Sequence, residues 1–197
     1  MVQWPSAMRP VLRDPRGRTL GTAPEFAGSP SALDAEGDSP LSFANLPFVA
    51  VGSSAVFFGS GVHFEVHQLS PAFTRTRSVR WPNATEPLAA DEVQRVLDAV
   101  AEVMAAYVPI ERARERLAPL FAPDMLPPQR PALQRALVDD VERVWVERFE
   151  PRIPGTPRQP IADRWTVLGT DGTPLAVLVL PPATRLEGVR GDRVVVV

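Results

Sequence analysis

The chain contains neither cysteine nor lysine in its 197 residues. Without cysteine it can form no disulfide and no thiolate metal site, it has no cysteine nucleophile, and the redox compartment stays open. All 21 basic residues are therefore arginine, and 23 acidic residues bring the net charge to -2. Because no basic excess is left to attract phosphates, we expect no binding to nucleic acid or to anionic lipid.

A long apolar run is also missing. Residues 1–12 hold no apolar core of the kind that a secretory signal needs. The stretch most similar to a membrane span, residues 39–64, carries no charged side chain but is interrupted by Pro47 and by glycine-serine clusters. We therefore predict short strands there and no membrane span, and the compartment stays unknown.

Proline, by contrast, is abundant. It occupies 23 of the 197 positions, more than double its usual share of about 5%. Since proline ends helices and interrupts strands, this composition predicts many short elements. The 45% of hydrophobic and 22% of charged residues are ordinary for a globular chain of this length, so we expect one domain with a sizeable core.

The hydrophobic pattern predicts a mainly β chain in which two sets of four strands are flanked by pairs, in the order 2+4+4+2. The first set covers residues 48–51, 55–59, 62–69 and 73–80, and the second covers 135–138, 143–149, 163–168 and 175–180. The flanking pairs cover residues 8–13 with 19–26, and 184–189 with 192–197. Short turn clusters separate the strands, so antiparallel meanders are expected.

Between the two sets of strands the period changes to that of a helix. The apolar positions that recur at steps of three and four are Val93, Val96, Leu97, Val100, Val103, Met104 and Tyr107. This pattern predicts a helix that begins between residues 85 and 91 and ends before Pro109. A second helix is predicted from Ile110 to about Phe121, with the charged run 111–116 on a solvated face. The prolines from 119 to 131 predict an extended linker.

Four-stranded meanders at a spacing of about 40 residues are typical of the blades of β-propellers. Residues 137–146, LVDDVERVWV, resemble the blade pattern of an apolar pair, Asp, a turn, and then an apolar residue, Trp and Val. Residues 164–181 look like the next hairpin of the same blade. Residues 61–81 and the helical stretch after them are similar to the way in which bacterial six-bladed propellers of the TolB-like and NHL-like group insert helices between blades.

This resemblance implies a single, partial β-propeller domain over residues 1–197. Its parts would be a half blade at 8–26, a blade at 47–81, a helical insertion with a proline-rich linker at 85–130, a blade at 134–181 and a half blade at 184–197. Glu142 stands where the family turn usually has glycine, so a different turn type is possible there. Three blade-equivalents are half of a six-bladed ring, so we expect either a fragment or a homodimer that closes the ring.

His63, Glu65 and His67 alternate along one predicted strand, so their side chains would share a face. Metal sites use this spacing, but His63 and His67 are the chain's only histidines, and a solvated polar stripe is the favoured interpretation. The three residues are therefore candidates for ligand binding, with no metal and no cofactor assigned.

Other motifs are expected to be structural. Asp139, Asp140 and Glu142 lack the ligand spacing of a calcium loop and predict a β-turn, while Trp145 and Trp165 are expected to pack between sheets. No motif for catalysis is present, so no catalytic residue is assigned.

The sequence favours a non-catalytic module of the propeller type that binds an unknown protein or small molecule. In this view the helical insertion caps one face of the disc. Two alternatives stay open: a metal-dependent hydrolase or lactonase-like enzyme, and a truncated gene product without its own activity.

Overall fold

The protein is described here by a computed structural model. The described residues are 2–3, 9, 11–13, 15–22, 25, 31–34, 37–40, 42–45, 47–70, 72, 74–81, 86–151, 153, 163–182, 184–191 and 193–197. Within them the chain is mainly β, with antiparallel sheets and two α-helices. The predicted fold class is confirmed at this level.

The N-terminal region contains five short strands. They are β1 (Val2–Gln3), β2 (Val11–Arg13), β3 (Thr19–Thr22), β4 (Ser31–Asp34) and β5 (Gly37–Pro40). The β2–β3 hairpin was predicted, although the ends expected at residues 8 and 26 lie outside the described residues. The sheet of order β1-β4-β5 was not predicted, because its strands are two to four residues long and lack an apolar alternation.

Sheet A is an antiparallel meander of four strands in sequence order. It consists of β6 (Phe48–Val51), β7 (Val56–Gly59), β8 (Glu65–Leu69) and β9 (Arg75–Arg80). The predicted third strand began at Val62, whereas β8 begins at Glu65. The cause is Gly61, which has a φ of 76° and whose carbonyl accepts hydrogen bonds from the N–H groups of Ala132 and Leu133. These bonds connect Gly61 to the start of the next sheet, while the carbonyl of Phe64 still accepts a hydrogen bond from the N–H of Trp81, directly after β9.

The helical insertion, defined here as residues 86–130, separates sheet A from the next sheet. It contains α1 (Ala90–Met104), α2 (Ile110–Leu117) and two 3-10 helices at Ala118–Phe121 and Pro123–Met125. The predicted extended linker was therefore wrong in its first half, where residues 119–121 and 123–125 are helical. The insertion closes on itself, because the N–H of Arg130 donates to the carbonyl of Glu86 over 2.9 Å.

The apolar stripe of α1 packs as predicted, except at its end. Val96 and Val100 are buried in a core that α1 shares with α2, while Phe43 and Phe149 anchor this core to the rest of the chain. Tyr107 lies beyond the helix and is 88% exposed. Among the described residues, no helix has the length and apolar character needed to cross a membrane.

Sheet B repeats the meander and is followed by a hairpin. Its strands are β10 (Leu133–Val138), β11 (Val144–Arg148), β12 (Arg164–Leu168) and β13 (Pro174–Val179), again in sequence order. The hairpin pairs β14 (Leu186–Arg190) with β15 (Arg193–Val196). Both elements agree with the predicted second set and the terminal pair.

Sheet B lies between sheet A and the β14–β15 hairpin. One face contributes Val144, Val146 and Leu168 to a core with Phe57 and Phe64 of the sheet A region. The other face packs Trp165 and Leu180 against Leu186 of β14. The predicted packing role of Trp165 is confirmed. The first strand β10 is a neighbour of β6 on one side and of β14 on the other.

The turn between β10 and β11 connects sheet B to sheet A through hydrogen bonds. Glu142 has a φ of 63°, so it takes the left-handed conformation that glycine would accept most easily. Its carboxylate accepts hydrogen bonds from the N–H and hydroxyl of Ser53 and from the hydroxyl of Ser54. The glutamate thus keeps a glycine-type turn and adds a contact between the sheets.

Candidate functional site

The predicted stripe on β8 forms only in part. Glu65 and His67 share a face, with 3.9 Å between Glu65 Oε1 and His67 Nδ1. His67 is hydrogen-bonded to Ser78 over 2.8 Å and contacts Arg75. The carboxylate of Glu65 accepts a hydrogen bond from Arg80 over 3.0 Å. Both side chains are therefore engaged by the neighbouring strand β9.

His63 does not join them, because it is exposed and lies before β8 begins. In the described part of the chain, no three His, Cys, Asp or Glu side chains lie close enough together to hold a metal ion. Burial, followed by the positive charge of Arg75, lowers the pKa of His67, while Glu65 acts in the opposite direction. His67 is therefore neutral at pH 7.

The acidic turn predicted at Asp139 is confirmed as a turn with an internal cap. The Asp139 carboxylate accepts hydrogen bonds from the N–H groups of Val141 and Arg143, from Arg143 Nε and from Trp145 Nε1. Burial raises the pKa of Asp139, but the hydrogen bonds from Trp145 and Arg143 outweigh it and leave the pKa lowered. The carboxylate is thus committed to its own hairpin.

Two buried carboxyl groups lie between sheet B and the β14–β15 hairpin. Glu147 is 6% exposed and Asp163 is 9% exposed. Glu147 stands opposite Trp165 in the β11–β12 register, and Asp163 precedes Trp165 by two residues, so all three lie on one face. The Glu147 carboxylate accepts a hydrogen bond from Gln134 over 2.8 Å.

The raised pKa values of Glu147 and Asp163 keep a proton on this pair of carboxyl groups up to near neutral pH. Burial, and then the charge of Asp163, raise the pKa of Glu147 to about 7. Burial also raises the pKa of Asp163, although Arg135 and Arg185 oppose this shift. Chemically, such a pair could donate or accept a proton.

Arg135 and Arg185, the cations near Glu147 and Asp163, also interact with other side chains. The guanidinium of Arg135 lies over the Trp165 ring at 5.5 Å. Glu187 of β14 pairs with Arg185 over 3.0 Å and with Arg135 over 3.8 Å. Within the described structure Trp165 Nε1 is buried without a hydrogen-bond partner. The cluster therefore joins the β14–β15 hairpin to sheet B through charges as well as apolar packing.

The second candidate is a cavity of about 420 Å³ between the helical insertion and the ends of β11 and β12. We call it the arginine cavity. It is lined by Glu86, Pro87, Ala89, Glu92, Arg95, Arg130, Arg148, Glu150 and Arg164. Its volume lies within the range of about 300–1,000 Å³ that small-molecule sites occupy.

One arginine of the cavity has a structural role. Arg130 donates from Nε to Glu92 of α1 and from Nη2 to Glu150 after β11, each over 3.0 Å. Burial raises the pKa of Glu150, and the charge of Arg130 opposes that shift. Arg130 thus holds the insertion against sheet B and lines the cavity.

Two other arginines lie at the adjoining ends of β11 and β12. Arg148 follows Glu147 and Arg164 precedes Trp165, so each lies one residue beyond the Glu147–Trp165 pair, and both line the cavity. The guanidinium of Arg148 lies 5.5 Å from the centre of the Phe64 ring, which fixes its position. The cavity can therefore present two adjacent cations to a ligand.

Comparisons with protein-family models, with curated proteins and with solved structures give no match for this chain. The arginine cavity was missed in the sequence because Arg148 and Arg164 are joined only by strand register. Their positions, near the end of one predicted strand (143–149) and near the start of the next (163–168), were the available signal.

Proposed function

We propose that the protein is a non-catalytic binding module of the β-propeller type, related in architecture to the TolB-like and NHL-like group, that takes a small ligand in the arginine cavity. The architecture supports this proposal through the two four-stranded meanders and the adjacent first strands β6, β10 and β14. Propellers place binding residues on loops and insertions above a rigid set of sheets.

The cavity is the observation that carries the proposal. Its walls come from the insertion, through Ala89 and Arg95, and from sheet B, through Arg148 and Arg164. The insertion is anchored at its exit by Arg130, with ion pairs to Glu92 and Glu150. A cavity between a rigid sheet and an anchored cap is a setting in which a ligand can be held without large rearrangement.

The test is a binding screen on the full chain by thermal shift and calorimetry, using a library of charged and neutral metabolite-sized compounds. The variant Ala89→Trp fills the cavity, and Ala106→Trp places the same side chain at an exposed position outside it. We expect compounds that bind the native chain and A106W but not A89W. Compounds that bind all three proteins equally, or no binding compound at all, would contradict the proposal.

The same architecture supports a homodimer that closes a six-bladed ring. The β14–β15 and β2–β3 sheets have two strands each, and Val194, Val195 and Val196 are exposed on β15. Two copies related by a two-fold axis could pair these sheets at each seam. Light scattering should then give twice the chain mass of 21.5 kDa; a folded monomer at high concentration would rule the ring out.

A second candidate, a propeller hydrolase, is favoured by one observation, the buried Glu147–Asp163 pair with its proton near neutral pH. The metal-dependent form of this enzyme would require a bound ion in the closed assembly. Metal analysis of the purified chain, with ester and lactone substrates assayed on native protein and Glu147→Gln, separates this candidate from the binding module.

A further inference from the structure

We infer that the arginine cavity binds an oxyanion, the terminal carboxylate or phosphate group of a small ligand, between the guanidinium groups of Arg148 and Arg164. The inference rests on the proposed function because it uses the same cavity. It goes further by naming the recognised group and the residues that recognise it.

Arg148 and Arg164 both line the cavity, each one residue beyond the Glu147–Trp165 pair of β11 and β12. Like charges that lie close together on neighbouring antiparallel strands repel each other. An anion between two such guanidinium groups removes this repulsion and gains charge-assisted hydrogen bonds from both. The two strand ends thus create a position that an anion occupies with benefit to the fold.

The acidic groups nearby leave this position open. The nearest carboxylate oxygen of Glu86 is 4.0 Å from Arg148, at the limit of an ion pair. Glu150 feels the charges of Arg148 and Arg164, but it accepts its hydrogen bond from Arg130. Among the described residues no carboxylate forms an ion pair with Arg164 at 4.0 Å or less.

The guanidinium of Arg148 is held in place and is still accessible to a ligand. Arg148 is packed over Phe64, and its side chain is still 29% exposed, so it is positioned and accessible together. The planar guanidinium donates two parallel hydrogen bonds to a carboxylate or phosphate. A positioned fork of this kind loses little side-chain freedom when the anion arrives.

The N-terminal end of α1 adds to the positive potential of the two arginines. Its N-cap residue Ala89 lines the cavity and provides no side-chain cap, so the N-terminal end of α1 borders the cavity. The helix dipole there favours negative charge. Its first-turn Glu92 is bound to Arg130.

The charge of the lining also limits the ligand. Four arginines and three glutamates line the cavity, so its net charge is small and suits one anionic group. A polyanion would be repelled by the three carboxylates. The volume of about 420 Å³ leaves room for the body of a metabolite-sized molecule beyond its charged end.

The experiment is calorimetric titration of the full chain with two probes, inorganic phosphate and malonate, at low and high sodium chloride. Arg164→Gln removes one cation of the pair without touching Phe64, and Arg112→Gln removes an exposed arginine of α2, outside the cavity, as the matched control. We expect at least one probe to bind the native chain and R112Q, about tenfold weaker binding to R164Q, and weaker binding at high salt. The probe that binds identifies the group as carboxylate or phosphate.

Arg148→Gln is a second variant, interpreted only if its thermal unfolding midpoint stays near that of the native chain. Binding of neither probe, or equal binding by R164Q and native protein, overturns the inference. If neutral compounds bind R164Q but not A89W, the proposed function is supported and the inference of oxyanion binding is overturned. If no compound binds the native chain more tightly than A89W, both the proposed function and the oxyanion inference are overturned.

Discussion

The carboxylate of Glu142 accepts two hydrogen bonds from Ser53, one from its N–H over 2.6 Å and one from its hydroxyl over 2.7 Å. The two residues are 89 positions apart in the chain, and the contact joins the β10–β11 turn to the β6–β7 turn. The hydrogen bonds from Ser53 lower the pKa of Glu142 more than its slight burial raises it. A side chain on a turn residue with positive φ thus connects two sheets.

The first prediction separates the stabilisation by the Glu142 hydrogen bonds from the backbone strain of its positive φ. Glu142→Ala keeps the positive φ but loses the hydrogen bonds, so it should lower the free energy of unfolding by about 1–3 kcal/mol. Glu142→Gly loses the same bonds but relieves strain worth roughly 1 kcal/mol, so it should cost less. Urea unfolding measures both. Equal losses for the two variants would show that φ contributes nothing, and no loss in E142A would show that the contact is unimportant.

The second prediction concerns the space that this contact requires. A Cβ on Gly52 would lie 2.6 Å from Oε2 of Glu142 and 3.0 Å from Val138, so Gly52→Ala should displace the carboxylate. We expect a loss of about 1–2 kcal/mol in urea unfolding. Gly188→Ala on β14 is the matched control, because nothing lies within 4 Å of its Cβ. A G52A protein as stable as G188A would contradict the close packing of the two turns.

The regular elements could be predicted from the sequence because their signals are local. The stripe that includes Val96 and Val100 gave α1, and alternating apolar residues between turn clusters gave sheets A and B. The start of β8 was displaced because the Gly61 carbonyl is bound by Ala132 and Leu133, which lie far away in the sequence. Local patterns contain no information about such a partner.

The candidate sites were harder to predict because they depend on register and on burial. His63, Glu65 and His67 have a clear spacing, but the chain bends before Glu65 and separates the first from the others. Arg148 and Arg164 are ordinary surface residues by sequence. Only the one-residue precision of the β11–β12 pairing makes them neighbours, and a shift by one would place them on different faces.

The third prediction follows from the proton held by Glu147. Its pKa is raised to about 7 in the folded chain from an ordinary value of 4.5, so the folded state binds this proton more tightly than the unfolded state. Stability from this group is therefore complete below about pH 4.5 and is lost as pH rises toward 7. The charged groups that face it are Asp163, Arg135 and Arg185.

Glu147→Gln keeps the shape and the contact with Gln134 but cannot ionise. We expect E147Q to gain stability relative to the native chain between pH 4.5 and 7, by up to about 3 kcal/mol, and the gain to level off above that range. Urea unfolding at pH 4.5, 6 and 7.5 measures the difference. In Asp163→Asn the loss should occur at lower pH values than in the native chain, because the second cause of the raised pKa is removed. A difference independent of pH would contradict the raised pKa.

The last prediction tests whether the helical insertion is a cap or part of the core. The carbonyl of Glu86 and the N–H of Arg130 are already joined over 2.9 Å, so residues 88–128 can be replaced by two glycines without moving the strands that flank them. We expect the strand signal in far-UV circular dichroism to persist, while binding in the arginine cavity is lost with the cavity wall. The deletion exposes Phe43 and Phe149, which are 2% and 1% exposed in the intact chain, so both should be changed to serine to prevent association. Loss of the strand signal in that protein, but not in the full chain with the same two serines, would instead mean that the sheets need the insertion to fold.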